Sequence, residues 1–192
     1  WLAGSYASPE KLAEAQSLGA VGIQVGTAFA FCDESGIEPG LKRRMIQASR
    51  AGSARVFTDP AASPTGFPFK VADLPGTLSE PAVFAAREKI CDLGYLRQPY
   101  RQPDGGIGYR CAAEPVEDYV RKGGNIADTV GRKCLCNGLM ATAGLAQVHQ
   151  SRPEPAIVTA GNEVTDLIRL LPNGDDRYAA ADVLNYLRGT TA

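Results

Sequence analysis

Two short turns near the start of the chain combine glycine with a hydroxyl side chain. Gly4-Ser5 ends one apolar segment, and Gly26-Thr27 ends the next. Glycine lets backbone N–H groups approach an anion closely, and the hydroxyl of serine or threonine adds a further donor. A helix that begins at such a turn contributes the positive end of its dipole. The two turns therefore predict a phosphate-binding site, the alternative being that the glycines only close tight turns.

Ala3 precedes the first turn and Gln24 precedes the second, and both belong to the candidate cofactor site. Gln24 lies two positions before Gly26, where its amide can hydrogen-bond to a bound cofactor or substrate. The alternative for Gln24 is an ordinary side chain in the interior of a sheet. The candidate cofactor-binding residues are Ala3, Gly4, Ser5, Gln24, Gly26 and Thr27.

The chain has 5 cysteines, and two of them, Cys134 and Cys136, are separated by a single residue. Thiolates bind zinc, although structural zinc sites more often space each cysteine pair by two to four residues. Free cysteine is also among the most buried residue types. We therefore expect the cysteines to be buried, reduced thiols and predict no metal ligand. The alternative that stays open is a metal site formed by four of them, Cys91, Cys111, Cys134 and Cys136.

His149 is the only histidine of the chain. Histidine often serves as a base in catalysis, but no side chain near His149 in the sequence is an evident partner for it. Its position just before a proline-rich stretch favours the end of a helix at the surface. Asp33 and Glu34 follow the second turn, where a solvated helix start is the simpler interpretation. The sequence therefore predicts no catalytic residue within the chain.

The two turns must be positioned by strands with a helix between them. Ser8 is a favoured N-cap, Pro9 fits the first helical position, and Gly19 fits the position after a helix. Residues 21–25 are rich in β-branched side chains and predict the second strand. Tandem strand–turn–helix units are typical of the end of a (β/α)8 barrel, whose loops after strands seven and eight often bind phosphate. We expect an α/β fold in which residues 1–52 form the last two βα units of such a barrel.

Residues 53–192 are expected to form a mixed α/β extension. Its first part is rich in proline and glycine, and Asp104-Gly105-Gly106 predicts a hairpin turn. Residues 155–159 predict a strand. The predicted helices of the extension cover residues 127–143, 163–171 and 179–187.

A further helix, predicted to begin at Pro39 and end before Gly52, belongs to the barrel-like part. The spacing of Leu41 and Met45 gives it an apolar stripe. It also carries a short basic run, residues 42–44, which we expect to form a solvated face and not a binding patch.

The composition favours an enzyme without nucleic-acid or membrane partners. The 192 residues include 20 basic and 21 acidic side chains, for a net charge of −1, and there is no basic block. No apolar run approaches the roughly 18–20 residues of a membrane span, and no signal peptide is visible, so we expect a cytoplasmic location. The chain begins inside a predicted strand without an initiator methionine. We therefore expect the remaining barrel strands to come from an upstream segment or from another chain.

The sequence around the two turns resembles the end of the barrel in a known enzyme family. Residues 2–6 (LAGSY), 8–12 (SPEKL) and 19–29 (GAVGIQVGTAF) strongly resemble nitronate monooxygenases, also called 2-nitropropane dioxygenases. Later segments are similar to the extended bacterial members of that family. These segments are residues 58–60, 66–70, 90–95 and 131–137.

The resemblance implies an FMN-dependent flavoprotein that oxidises alkyl nitronates with O2 to a carbonyl compound and nitrite. It implies that Gly4-Ser5 and Gly26-Thr27 hold the FMN phosphate and that Gln24 lies beside it. The chain would then supply the phosphate-binding end of the cofactor site. Its partners would be a small-molecule substrate and O2, together with the rest of the barrel.

Two departures from the family pattern bear on this expectation. The family usually has Gly-Gly where this chain has Gly4-Ser5, and the serine narrows the space for backbone approach. The family's catalytic histidine lies in a Gly-Gly-His turn that would precede Trp1, and His149 does not match that motif. Two other functions remain open: an FMN-dependent enoyl-thioester reductase that uses NAD(P)H, or a non-catalytic lobe that completes another chain.

Overall fold

The computed structural model of the chain describes residues 1–171 and 175–190. These residues form a mixed α/β structure with short helices and four two-stranded sheets. Their contacts divide the chain into two compact units, a first unit of Trp1–Val56 with Ala160–Ala192 and a second unit of Phe57–Thr159. The C-terminal segment thus belongs with the N-terminal unit, whereas the sequence pattern assigns it to the extension.

The elements are numbered in chain order. The strands are β1 (Leu2–Ala3), β2 (Ile23–Gln24), β3 (Val56–Asp59), β4 (Phe69–Ala72), β5 (Gln98–Arg101), β6 (Ile107–Arg110), β7 (Val148–His149) and β8 (Arg152–Pro153). The α-helices are α1 (Pro9–Ser17), α2 (Thr27–Ala30), α3 (Pro39–Arg50), α4 (Pro81–Ala86), α5 (Val116–Arg121), α6 (Leu135–Thr142) and α7 (Ala180–Arg188). Two 3₁₀ segments cover Ile126–Thr129 and Asn162–Leu170. Within the described residues, the strands do not close into a barrel.

The first unit begins with the strand–helix–strand arrangement that the sequence predicts. Strands β1 and β2 are parallel, and α1 connects them. The Ser8 side chain accepts a hydrogen bond from the Lys11 backbone N–H, Pro9 takes the first helical position, and Gly19 has a left-handed φ of 83° after the helix. These local predictions are confirmed. Both strands are shorter than predicted, because only two residues of each lie in the parallel ladder.

Packing in the first unit departs from the predicted solvated face of α3 at one position. On α1, Ala15 is fully buried, while Leu18 is 69% exposed because it lies at the helix C-cap. On α3, Leu41 and Met45 are buried as the apolar stripe requires. Lys42, predicted to be solvated, is buried as well.

The burial of Lys42 has a clear physical reason. Its ammonium donates to the backbone carbonyl oxygens of Cys32, Asp33 and Ser35 at 2.9–3.0 Å. These three carbonyls lie in the loop just after α2, so backbone acceptors of that loop surround the buried charge. The long aliphatic stem of lysine allows the burial. The neighbouring Arg43 and Arg44 are exposed, as predicted.

The second unit contains a hairpin and a small apolar core. Strands β5 and β6 pair antiparallel around Asp104-Gly105-Gly106, where the Asp104 carboxylate accepts from the Gly106 N–H at 2.9 Å, which confirms the predicted turn. The core packs side chains from well-separated segments against one another. Its buried members are Ala62, Val71, Leu78, Leu135 and Ile157.

Two predicted elements of the second unit differ in the structure. The helix predicted over 127–143 is interrupted, because Gly131 adopts a left-handed φ of 67° between the 3₁₀ segment and α6. The strand predicted over 155–159 makes only an isolated bridge, Val71 to Thr159. Its backbone is held instead by single hydrogen bonds, including Leu78 N–H to Ala156 O at 2.8 Å.

The helices are all short. None of those found in residues 1–171 and 175–190 combines the length and apolar character that crossing a membrane demands.

Candidate functional site

The two predicted phosphate turns meet at one edge of the β1–β2 sheet. Leu2 pairs with Ile23 and Ala3 pairs with Gln24 in parallel register. Because the strands run in the same direction, Gly4-Ser5 and the turn that contains Gly26 both leave the sheet at its carboxyl edge. Proteins with a parallel sheet, whether open or closed into a barrel, bind their ligands at this edge.

The conformation of the first turn exposes its backbone. Gly4 has a φ of 80° and Ser5 a φ of 59°, so two successive residues are left-handed. Left-handed φ is unusual for serine and costs about 1 kcal/mol or more, while glycine adopts it freely. Both residues are exposed. The turn therefore holds its serine in a strained conformation at the sheet edge.

The space around the glycines is open. A Cβ atom added to Gly4 or to Gly26 would meet no heavy atom within 4 Å. Ala3 and Gln24 are exposed on the adjoining strand ends. A phosphate-sized group can therefore approach both turns without displacing a side chain.

Thr27 differs from the other candidates. Its side chain is buried, and its Oγ1 accepts a hydrogen bond from the Gly161 N–H at 2.8 Å. A Cβ on Gly161 would lie 2.9 Å from the same oxygen, so the two segments are in close contact. The observed role of Thr27 is to anchor the returning C-terminal segment to the start of α2.

A cleft of about 250 Å³ opens beside Ser5 and Ser8. Glu163 and Asp166 contribute two carboxylates to its lining, and Arg169 contributes one guanidinium. The Arg169 Nη2 donates to the Ala7 carbonyl at 2.7 Å, which ties the 3₁₀ segment to the residues before α1. The lining of this cleft carries more negative than positive charge, which disfavours a phosphate inside it. The open space beside Gly4 and Gly26 is the better position for an anion.

The second unit has a larger cleft, of about 330 Å³, whose wall includes a buried ion pair. Arg87 Nε lies 2.5 Å from Glu154 Oε1, and the two side chains are only 4% and 5% exposed. His149 also lines this cleft. Gln150 and Ser151, in the turn after β7, have positive φ values of 47° and 65°, as a tight hairpin turn requires.

His149 has a carboxylate partner that the sequence does not reveal. Its Nε2 lies 2.9 Å from Asp92 Oδ2, and Asn137 Nδ2 donates to the same oxygen at 2.8 Å. Asn137 is fully buried, so it holds the Asp92 carboxylate in a fixed position. A histidine oriented by a carboxylate can act as a general acid or base. The sequence predicts His149 at the end of a helix, and this is wrong, because His149 lies in strand β7.

Four cysteines belong to the second unit. Cys111 and Cys134 are buried together with Ala113, and Cys136 packs against them. Cys91 is only partly buried. All are free thiols, as is Cys32 in the first unit. Across residues 1–171 and 175–190, no group of three or more histidine, cysteine, aspartate or glutamate side chains is arranged to hold a metal ion.

Cys91 is distinguished by its electrostatic surroundings. The neighbouring Cys111 thiol and the Arg97 guanidinium lower the pKa of the Cys91 thiol. Burial has the opposite effect on Cys134, whose pKa it raises. Cys91 is therefore the cysteine of this group whose pKa its neighbours lower, and no local sequence pattern indicates it.

The candidate sites of the two units differ in their chemistry. The first unit has exposed glycine turns, and the second has ionisable side chains held in fixed positions. A comparison of the chain with models of known protein families, with curated proteins and with solved structures found no match to any of them.

Proposed function

We propose that this chain supplies the phosphate-binding end of the cofactor site in an FMN-dependent oxidoreductase that acts on alkyl nitronates. The observation that carries the proposal is the parallel register of β1 and β2, which brings Gly4-Ser5 and Gly26 to one sheet edge. In this proposal, residues 1–52 are the last two βα units of a (β/α)8 barrel. The remaining strands and the catalytic base come from a further segment or another chain.

The residues at this edge fit a phosphate group. Gly4 and Gly26 leave open space for close approach of the phosphate oxygens to the backbone, and the exposed Ser5 hydroxyl can donate an additional hydrogen bond. Gln24 and Ala3, at the ends of the strands, would lie beside the group. Thr27 contributes by fixing the start of α2 through its bond with Gly161, and not as a freely exposed donor.

The chemistry of the reaction belongs to the cofactor. When bound, FMN transfers electrons between the nitronate and O2. The role of this chain is to bind the phosphate, to orient the cofactor by that anchor and to place the Gln24 amide beside it. A neutral amide at this position adds no charge that would oppose the phosphate.

A charge placed at Gly26 tests the phosphate site directly. Gly26→Asp puts a carboxylate at the N-cap of α2, a position where aspartate is favoured, so the fold should tolerate it. Repulsion of the phosphate should weaken FMN binding by about tenfold or more, which is 1.4 kcal/mol. Binding of riboflavin, which has no phosphate, should not change. Fluorescence titration of the flavin measures both, with the FMN-free protein assembled with the segment or chain that completes the barrel.

Gly36→Asp is the matched control. Gly36 is exposed and, like Gly26, has no heavy atom within 4 Å of an added Cβ. It should bind FMN and riboflavin as the unmodified protein does. Equal FMN affinity in the Gly26 and Gly36 variants would exclude the turn as the phosphate site.

The reaction is tested separately on the FMN-loaded protein assembled with the segment or chain that completes the barrel. The proposal requires nitronate-dependent O2 consumption with release of nitrite by this assembly. Reduction of an enoyl thioester by NAD(P)H, without nitronate oxidation, would replace this reaction with a reductase that uses the same phosphate site. Neither activity, together with retained FMN binding, would contradict the oxidoreductase assignment.

A further inference from the structure

The second unit has a cleft of about 330 Å³ that the proposed FMN site does not use. All of its lining residues belong to the second unit. Pockets for small molecules have volumes of about 300–1,000 Å³, so this cleft lies at the lower end of that range. Its apolar wall includes Val83, Ile90 and Pro155. The volume and the apolar wall fit a small molecule with a short hydrocarbon part.

Two exposed charges of opposite sign also line the cleft. They are the guanidinium of Arg152 and the carboxylate of Glu88. In the described part of the chain, neither side chain forms a hydrogen bond or an ion pair. The other two lining charges, Arg87 and Glu154, neutralise each other as a buried pair. The cleft therefore offers one cation and one anion to a ligand.

His149 lies beside Arg152 on the β7–β8 hairpin. The two residues are directly paired in the antiparallel ladder, so their side chains project from the same face. Both line the cleft. Because the Asp92 carboxylate accepts the hydrogen bond at Nε2, a neutral His149 carries its proton on Nε2 and leaves Nδ1 as an acceptor. The ring thus offers an acceptor to the N–H group of a cationic ligand.

We propose that this cleft binds a free α-amino acid with an apolar side chain. The Arg152 guanidinium pairs with the ligand's carboxylate, which its planar set of N–H donors matches in geometry. The Glu88 carboxylate and the Nδ1 atom of His149 accept hydrogen bonds from the ligand's ammonium. The apolar wall covers the side chain of the ligand. The site lies in the second unit and does not depend on the FMN site proposed for the first.

The cleft of the first unit differs in the state of its guanidinium. Arg169 donates to the Ala7 carbonyl at 2.7 Å and lies 3.8 Å from the Asp166 carboxylate. That guanidinium is already engaged by the protein, whereas Arg152 is available to a ligand. The amino-acid site is therefore assigned to the second unit.

The test titrates the complete protein with L-leucine and with two analogues that each lack one charged group. They are 4-methylpentanoate, without the ammonium, and 3-methylbutylamine, without the carboxylate. Isothermal titration calorimetry should show that leucine binds about tenfold or more tightly than either analogue. His149 is the only histidine, so its ring C–H signals in NMR are readily identified and should shift when leucine binds. Failure to bind leucine, equal binding of an analogue, or unchanged His149 signals would each overturn the proposal.

Two variants test the two charged contacts separately, and both positions are exposed, so the fold should tolerate the changes. Arg152→Gln should weaken the binding of leucine and 4-methylpentanoate but not of 3-methylbutylamine. Glu88→Gln should weaken the binding of leucine and 3-methylbutylamine but not of 4-methylpentanoate. Arg101→Gln, at an exposed position of β5 outside the cleft, is the matched control and should bind all three as the unmodified protein does. Unchanged leucine affinity in either cleft variant would also overturn the proposal.

Discussion

The two units satisfy their buried and functional polar groups by different means. In the first unit, the candidate site consists of exposed backbone turns, and the buried ammonium of Lys42 is bound by carbonyl oxygens. In the second unit, oppositely charged side chains from distant segments pair directly, as in Arg87 with Glu154 and Lys133 with Asp59. Backbone-based sites depend on local conformation, while side-chain pairs depend on the tertiary fold. The first kind should therefore tolerate substitution better than the second.

The largest effect is expected from breaking the buried ion pair of the second unit. Arg87→Met leaves the Glu154 carboxylate buried without its partner, because both side chains are almost fully excluded from solvent. Removing one member of such a pair costs about 3–5 kcal/mol in the free energy of unfolding. Urea titration followed by circular dichroism measures this loss.

The double variant Arg87→Met with Glu154→Leu removes both charges and should recover most of the lost stability. Exposed ion pairs contribute at most about 1 kcal/mol to the free energy of unfolding. If Arg87→Met alone lowers the free energy of unfolding by less than this, the two units do not differ in the way proposed.

A smaller effect is expected from the buried hydroxyl of the first unit. Tyr178 is 2% exposed, and its hydroxyl donates to the Ala28 carbonyl at 2.7 Å. Tyr178→Phe leaves that carbonyl without this donor, at a cost of about 1–3 kcal/mol. Tyr95→Phe, at a side chain 71% exposed, is the control and should change stability little. A loss from Tyr178→Phe as large as that from Arg87→Met would contradict the ranking of the two units.

The same contrast explains what could be predicted from the sequence. Local features were predictable from the sequence, because each depends on residues within a few positions of one another. They are the helix N-cap at Ser8, the end of α1 at Gly19 and the hairpin turn at Asp104-Gly105-Gly106. The tandem turns were predictable for the same reason, although their meeting at one edge required the pairing of β1 with β2.

What the sequence did not reveal depends on contacts between distant segments. The Asp92–His149 contact joins residues 57 positions apart, and no local pattern marks it. Lys42 is buried because its ammonium binds carbonyl oxygens in the loop after α2, and a charge pattern along α3 contains no information on that loop. The Thr27–Gly161 bond depends on the return of the C-terminal segment to the first unit. These arrangements arise from tertiary packing, which overrides local propensity.

The pH dependence of Cys91 tests whether contacts between side chains control the chemistry of the second unit. Its pKa is lowered from 9.0 to about 6, first by the Cys111 thiol and then by Arg97. Because the folded-state pKa is below the unfolded one, the thiolate stabilises the fold above pH 9 and this contribution is lost as the pH falls through 6. Solvent screening limits the effect on stability to within about 1 kcal/mol.

Alkylation by iodoacetamide measures the thiolate fraction directly. The rate at Cys91 should rise to its half-maximum near pH 6. Cys134, whose pKa burial raises, should react only at higher pH than Cys91 in the folded protein. Arg97→Gln should move the Cys91 midpoint to higher pH. A midpoint that does not move would show that the guanidinium does not stabilise the thiolate.

The smallest effect is expected at Ser5, because the first site depends mainly on its backbone. Ser5 has a φ of 59°, so Ser5→Gly relieves a strained conformation while adding freedom to the unfolded chain. The two contributions oppose each other, and stability should change by no more than about 0.5 kcal/mol. FMN affinity should fall by about threefold, since one neutral hydroxyl donor is lost while the backbone N–H groups remain. A loss of tenfold or more on flavin titration would mean that the Ser5 side chain dominates phosphate binding. The first unit would then depend on a side chain as the second does.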